Sequence, residues 1–192
     1  INHYHNEYLH RIPSWHEIGL LLSFENSRGY ISDPKERGDL VRIGKDVLKA
    51  CHVKATSFRA FRNDLLPDDL RPLEDIGILV DASATPGAVD KHEVTWPDGP
   101  KQPYNPSYEN LSVEGDARIL MAPIATHKGQ AAILDHGWER VEPVIRHSLA
   151  NLPVTVISLS DHVDCSKALR HALELGKQAD ARFVTLTEIA SC

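Results

Sequence analysis

Two arginines and an aspartate stand at the ends of short apolar runs, where they could bind or orient a polar group. Arg59 and Arg62 end one run, and Asp81 ends the next. In a parallel α/β sheet the carboxyl ends of the strands meet on one face, where binding sites are built. The pattern therefore predicts that Arg59 and Asp81 share a cleft. Alternatively, Arg59 forms a structural ion pair with Asp81 or Asp64, and Asp81 caps a turn with Ser83.

Histidines supply the candidates for acid–base and metal chemistry. His162 follows Asp161 just after an apolar run, and the carboxylate could fix the imidazole tautomer for proton transfer. The same pair could instead belong to a loop in which Asp164 caps the next helix. A second group near the amino terminus has metal-ligand spacing, although histidines near chain termini also cluster without a metal. Its members are His3, His5, Glu7 and His10.

A long segment between residues 82 and 118 carries five prolines and three large aromatic side chains. Loops of more than about 12–15 residues are usually functional or disordered, and disordered segments contain few aromatics. We therefore predict an ordered loop over the strand ends. Trp96, Tyr104 and Tyr108 suit stacking against sugar rings, because amphipathic aromatics cover apolar sugar faces and still form hydrogen bonds. The alternative is that they pack the loop onto the core.

Composition narrows the class of protein. A chain of 192 residues is long enough for one sizeable core and short for two, so residues 1–192 are predicted to form a single domain. The net charge of −6 argues against nucleic-acid binding, and no apolar run approaches the roughly 18–20 residues that cross a bilayer. Three widely spaced cysteines suggest neither a disulfide framework nor a metal site, and they favour a reducing, cytoplasmic location.

The elements that must position these residues alternate along the chain. This alternation predicts an α/β fold with a parallel sheet or barrel. The predicted strands are Glu17–Leu22, Thr56–Phe61, Ile78–Asp81, Ile119–Ile124, Val154–Leu159 and Phe183–Leu186. The predicted helices are Lys35–Ala50, a short helix from Pro67, Val141–Leu149 and Ser166–Ala179. The first helix begins at Asp33-Pro34, and its predicted apolar face is Leu40, Ile43, Val47 and Cys51.

Six segments, in order, resemble motifs of the polysaccharide deacetylase family, the NodB-homology type of carbohydrate esterase. His16–Gly19 is similar to its HEIG motif, Phe58–Arg62 to its FRAPR strand and Leu73–Ser83 to its LEELGFxYDSS unit. The remaining similar segments are Ile119–Pro123, Val156–Leu159 and Ala181–Leu186. The resemblance covers about residues 14–190 and implies a distorted, incomplete (β/α) barrel with parallel strands.

The resemblance also implies an activity. Family members remove N- or O-acetyl groups from a carbohydrate with water activated by a divalent metal such as zinc. In that scheme Arg59 orients a catalytic aspartate, and His162, with Asp161, is the candidate proton donor. The family's TFDDG aspartate pair has no counterpart in the sequence, and Ser160 stands where the family has its general-acid histidine. Where metal-binding histidines follow the HEIG glycine, this chain has Leu21, Ser23 and Glu25.

Two further interpretations follow from these differences. The chain could be a non-catalytic member that binds carbohydrate through the loop aromatics and hydrolyses nothing. It could also be part of a longer enzyme, because it lacks the first strands of the family pattern. An open sheet edge would then pair with another chain, and a homo-oligomer is one way to cover it.

Overall fold

The computed structural model describes residues 8–27, 29–89, 96–160 and 163–191. Its strands are β1 (Leu20–Leu22), β2 (Glu25–Asn26), β3 (Gly29–Tyr30), β4 (Ser57–Ala60), β5 (Val80–Asp81), β6 (Leu120–Met121), β7 (Thr126–His127) and β8 (Gln130–Ala131). Its α-helices are α1 (Pro34–Ala50), α2 (Leu70–Asp75), α3 (Trp138–Asn151), α4 (Ser166–Gln178) and α5 (Leu186–Ile189). Short 3-10 turns cover Phe61–Asn63, Pro67–Asp69 and Leu134–His136.

The main sheet of the described residues has four parallel strands in the order β1-β4-β5-β6. In its register Leu20 lies beside Phe58, Phe58 beside Asp81, and Asp81 beside Met121. Two small antiparallel pairs, β2–β3 and β7–β8, lie outside it. The prediction of an α/β fold with parallel strands is therefore confirmed.

The chain continues the sheet beyond β6 through single bridges. Ile124 pairs in parallel with Val156, and Ile133 pairs in parallel with Ser158. Residues 154–158, here called the 154–158 segment, thus follow the direction of the strand predicted there. Pairing is limited to these bridges, so the predicted strand is present as an extended edge rather than as a full ladder.

Helix α1 begins as predicted, but only part of its predicted face is buried. The Asp33 carboxylate accepts a hydrogen bond from the Lys35 amide, which caps the helix. The side chain of Ile43, predicted to be in the core, is 58% exposed, whereas Arg37 and Val41 are buried. The predicted apolar face was therefore right for Cys51, which is buried, and for Leu40, which packs against the core, and wrong for Ile43 and Val47, which are exposed. The buried Arg37 is tolerated because two aspartates described below neutralise it.

Buried apolar side chains of the described residues form two clusters. One lies between the main sheet, α1 and α2, and it includes Leu20, Phe58 and Met121. The other lies under α3 and α4, and it includes Ile133 and Ile145. Among the described residues no helix is both long and apolar enough to cross a bilayer.

The predicted strand Phe183–Leu186 is wrong. Thr185 instead caps α5: its hydroxyl accepts a hydrogen bond from the Glu188 amide, and the Glu188 carboxylate accepts one from the Thr185 amide. This reciprocal capping box satisfies backbone donors locally, so it prevails over the β-propensity of Phe183 and Val184.

Candidate functional site

Arg59 spans the inner face of a curved sheet. Its guanidinium donates hydrogen bonds to Ser158 Oγ and, at 3.2 Å, to Asn63 Oδ1. The order of the strands places β5 and β6 between Arg59 and the 154–158 segment. In a flat sheet with strands about 4.8 Å apart, that separation would be about 14 Å, which one arginine side chain cannot reach. The sheet therefore curves, and Arg59 lies on its concave side.

The 3-10 turn that follows β4 places the Asn63 side chain within hydrogen-bond distance of the Arg59 guanidinium. Arg62 and Asn63 both adopt left-handed backbone conformations, with φ of 53° and 59°. Asn63 is fully buried, and its carbonyl accepts a hydrogen bond from Trp96 Nε1 at 3.0 Å. Arg62 instead points outward and forms an ion pair with Glu25 at 3.0 Å. The two predicted arginines thus have different surroundings, and only Arg59 reaches the concave face.

A buried charge cluster, which sequence analysis missed, fixes the same turn to α1. Arg37 donates to Asp64 Oδ2 at 3.0 Å, and to Asp69 through Nε at 2.8 Å and Nη2 at 2.6 Å. Its guanidinium also lies 3.6 Å from the centre of the Phe24 ring. Asp64, considered above as a partner of Arg59, is therefore paired with Arg37.

Asp81 lies on the opposite face of the sheet from Arg59. It is beside Phe58 in register, and successive residues of a strand point to opposite faces, so Arg59 points the other way. Asp81 is fully buried and accepts hydrogen bonds from the Ser83 amide at 2.9 Å and from Ser83 Oγ at 2.7 Å. Ser83 Oγ in turn accepts from the Ala60 amide at 2.8 Å, which ties the ends of β5 and β4 together.

The pKa of Asp81 is raised by burial to about 7, although the bonds from Ser83 and the charge of Arg59 act in the opposite direction. Arg59 is therefore a charged residue on the concave face of the sheet. Asp81 is a buried carboxyl group on the other face, with a pKa near 7.

Trp96 and Tyr104 are in the core of the protein, with 5% and 6% of their surfaces exposed. The Tyr104 hydroxyl donates to the Leu111 carbonyl at 2.5 Å. Burial raises the pKa of Tyr104 to about 12, and the charge of Asp81 adds to the effect. These contacts favour the interpretation that the aromatics pack the loop onto the core, and their contact with sugar stays a prediction.

Tyr108 is half-buried and holds the loop against α2. Its hydroxyl lies 2.8 and 2.9 Å from the two carboxylate oxygens of Glu74. The same carboxylate accepts from the Arg118 amide at 2.7 Å, and the Arg71 guanidinium lies 4.3 Å from the Tyr108 ring centre. These contacts tie the 96–118 part of the loop to α2, and the placement of the whole 82–118 segment over the strand ends stays a prediction.

Asp161 and His162 lie outside the described residues, so their roles stay predictions. The residue just before them, Ser160, donates from its amide to Asp135 at 2.9 Å and from its hydroxyl to the same carboxylate. Cys165 Sγ also lies 3.6 Å from Asp135. Asp135 was not among the predicted site residues, because its partners are 25 and 30 residues away and no local pattern indicates them. Also outside the described residues are His3, His5 and Glu7.

A cavity of about 1040 Å³ opens beside Arg59. Its volume is at the upper end of the range for ligand pockets. Its walls are mainly apolar, and the rim carries Leu21 and Phe183, with 60% and 55% of their surfaces exposed. Glu17 also lines the cavity, and its carboxylate accepts from the Thr187 hydroxyl at 2.7 Å and from the Thr187 amide at 2.9 Å. A ligand entering this cavity would meet Arg59 and a largely apolar wall.

The described residues do not fit the divalent metal that the family resemblance implies. Within residues 8–27, 29–89, 96–160 and 163–191, no group of three His, Cys, Asp or Glu side chains converges as a metal site would require. A metal site would therefore have to draw on the candidates that lie outside these ranges.

Comparison with known proteins gives a likeness of fold. No family model matches the chain, and no curated protein matches it. One similar solved structure is a Mycobacterium smegmatis protein provisionally assigned as a polysaccharide deacetylase, with a TM-score of 0.55 and 14% identity over 83% of this chain. Another is the 4-alpha-glucanotransferase of Thermococcus litoralis, with a TM-score of 0.54 and 18% identity over 91% of this chain. The chain spans 57% of the first protein and 26% of the second. At these identities the two likenesses concern the fold alone.

Proposed function

We propose that the protein is a carbohydrate-acting hydrolase with a distorted, incomplete (β/α) barrel that removes N- or O-acetyl groups from a sugar. The observation that carries the proposal is the position of Arg59 on the concave face of a curved parallel sheet, beside a large cavity. The likeness of fold to a deacetylase-type protein supports the same proposal.

Arg59 contributes a fixed positive charge to this chemistry. When water attacks an acetyl carbonyl, negative charge develops on the carbonyl oxygen, and a preorganised donor stabilises that charge best. Bonds to Ser158 and Asn63 hold the guanidinium in place, so it needs no rearrangement to act on a bound acetyl group or to orient a carboxylate. The described residues offer no convergent ligands for a divalent metal, so activation of water by a metal would need ligands outside them.

The second candidate is a protein that binds carbohydrate without hydrolysing it. It is proposed because the described residues offer no convergent set of metal ligands, which hydrolysis by metal-activated water would need and sugar binding would not. This candidate uses the same cavity and the same arginine, but it requires no proton donor and no metal.

Acetate release from a panel of acetylated oligosaccharides, with and without added divalent metals, tests the proposal. We expect metal-stimulated release by the wild type and a loss of about 100-fold in Arg59→Ala. Arg62→Ala is the matched control, because Arg62 lies three residues on, in the turn after the same strand, but forms a surface ion pair, and we expect it to retain activity.

Calorimetric titration with the same oligosaccharides separates the two candidates. Binding that depends on Arg59, without acetate release under any metal condition, would establish the non-hydrolytic protein. If the protein neither binds these oligosaccharides nor releases acetate from them, both candidates are rejected.

A further inference from the structure

Asp135 lies at the end of the chain segment that pairs with the 154–158 segment. It is in the 3-10 turn Leu134–His136, and the preceding residues hold Ser158 by two backbone hydrogen bonds: Leu134 N to Ser158 O at 2.8 Å and Ser158 N to Ala132 O at 2.9 Å. The Asp135 carboxylate then binds Ser160 through both its amide and its hydroxyl. Residues 132–135 thus form hydrogen bonds with both Ser158 and Ser160.

The two serines connect Asp135 with Arg59. They are two residues apart, the spacing at which an extended segment presents side chains to one face. Ser158 Oγ accepts from the Arg59 guanidinium, and Ser160 Oγ donates to the Asp135 carboxylate. The Asp135–Ser160 contact is therefore one of two anchors of the segment whose Ser158 hydroxyl orients Arg59, the other being the two backbone bonds of Ser158.

The electrostatics suit this role. Burial acts to raise the pKa of Asp135, but the hydroxyl and amide of Ser160 and the Cys165 thiol lower it below its ordinary value. Asp135 is therefore ionised at neutral pH and makes charge-assisted hydrogen bonds, which are stronger than neutral ones. Burial, followed by the charge of Asp135, raises the pKa of the Cys165 thiol, so this thiol stays protonated.

We propose that Asp135 is a positioning residue for Arg59: by binding Ser160, it holds Ser158 where its hydroxyl orients the Arg59 guanidinium. The effect on a carbohydrate rests on the function proposed above, whereas the coupling between the two residues does not.

Hydrogen exchange at the Ser160 amide, measured on Asp135→Asn and Asp135→Ala, tests the contact itself. We expect exchange at least about tenfold faster than in the wild type in Asp135→Ala, which removes the acceptor, and a smaller increase in Asp135→Asn, which keeps a neutral acceptor. Asp46→Asn, which changes an exposed aspartate on α1, is the control and should leave it unchanged. Unchanged exchange at Ser160 in both Asp135 variants would overturn the inference.

A double-mutant cycle with Arg59→Ala tests the connection. If Asp135 acts through Arg59, the two substitutions are non-additive, both in the free energy of unfolding and in kcat/KM for acetate release. We expect Asp135→Asn to lower kcat/KM about tenfold in the wild type and hardly at all in Arg59→Ala. Additive effects on unfolding would overturn the inference. Absence of sugar binding and acetate release in the wild type would reject the proposed function, and the unfolding cycle would still decide the role of Asp135.

Discussion

Arg59 and Asp81 lie on neighbouring strands of one parallel sheet but point to opposite faces of it. Arg59 reaches the concave face and binds Ser158, whereas Asp81 is buried and binds Ser83. The sheet therefore separates a charge that can meet a ligand from a carboxyl group that is shielded from solvent. Arg59 is therefore tested by its effect on acetate release, and Asp81 by its effect on the pH dependence of stability.

The first prediction concerns pH and Asp81. Burial raises its pKa from the ordinary 3.8 to about 7, so between these values the folded protein holds a proton that the unfolded chain has released. Stability from this group is therefore fully present below about pH 4 and is lost as pH rises toward 7, by at most about 1.4 kcal/mol per pH unit. Asp81→Asn cannot titrate, so its stability relative to the wild type should increase over this range.

Urea unfolding of both proteins at several pH values between 4 and 8 measures this difference. Subtracting one curve from the other removes the contribution of the remaining carboxylates. A difference that is constant with pH would show that Asp81 is ionised throughout the range.

The second prediction concerns the buried cluster of Arg37 with Asp64 and Asp69. Removing one partner of a buried ion pair leaves an uncompensated charge, so Arg37→Met should lower the free energy of unfolding by about 3–5 kcal/mol. Arg42→Met is the matched control on the same helix, since Arg42 forms an exposed pair with Asp39 and should cost less than about 1 kcal/mol. Equal effects of the two substitutions in urea unfolding would contradict this prediction.

These two clusters show what the sequence could and could not predict. Helix α1 was predicted well because Asp33-Pro34 starts it through contacts within a few residues. Its buried face was predicted only in part: Leu40 and Cys51 were named, but Arg37 was not, since its charge is neutralised by residues 27 and 32 positions away. Local patterns predict where elements begin, whereas non-local pairing decides which of their faces are buried.

The candidate site shows the same limit. The apolar run before Arg59 indicated a strand end, and the structure places Arg59 at a cavity. Its partner Ser158 is 99 residues away, and Asp135 binds Ser160 across 25 residues. Such contacts depend on how the sheet curves, which periodicity alone does not specify.

The third prediction concerns a pair of stacked histidines. The rings of His127 and His147 lie 3.8 Å apart at an interplanar angle of 23°. Partial burial lowers the pKa of His127, and the charges of His147, Lys128 and Lys101 lower it further. Below about pH 6.5 the unfolded chain takes up a proton more readily than the folded protein, so stability should fall as the solution is acidified.

Substitution of His127→Gln should weaken this acid sensitivity, whereas His10→Gln, which changes an exposed histidine, should not. Thermal unfolding of the three proteins between pH 5 and 8 is the measurement. Parallel curves for His127→Gln and the wild type would show that the stacked pair does not control the response.

The last prediction separates packing from sugar contact at Trp96. Because Trp96 is almost fully buried and donates one of the two hydrogen bonds to the Asn63 carbonyl, the other coming from the Leu65 amide, Trp96→Phe removes a buried hydrogen bond and should cost about 0.5–1.5 kcal/mol of unfolding free energy. Trp15→Phe is the control, since Trp15 is 75% exposed and should change stability by less than about 0.5 kcal/mol. Asn63 also binds Arg59, so Trp96→Phe should reduce acetate release along with stability. If Trp96→Ala abolished sugar binding while unfolding stayed as in the wild type, Trp96 would instead be a surface contact for the ligand.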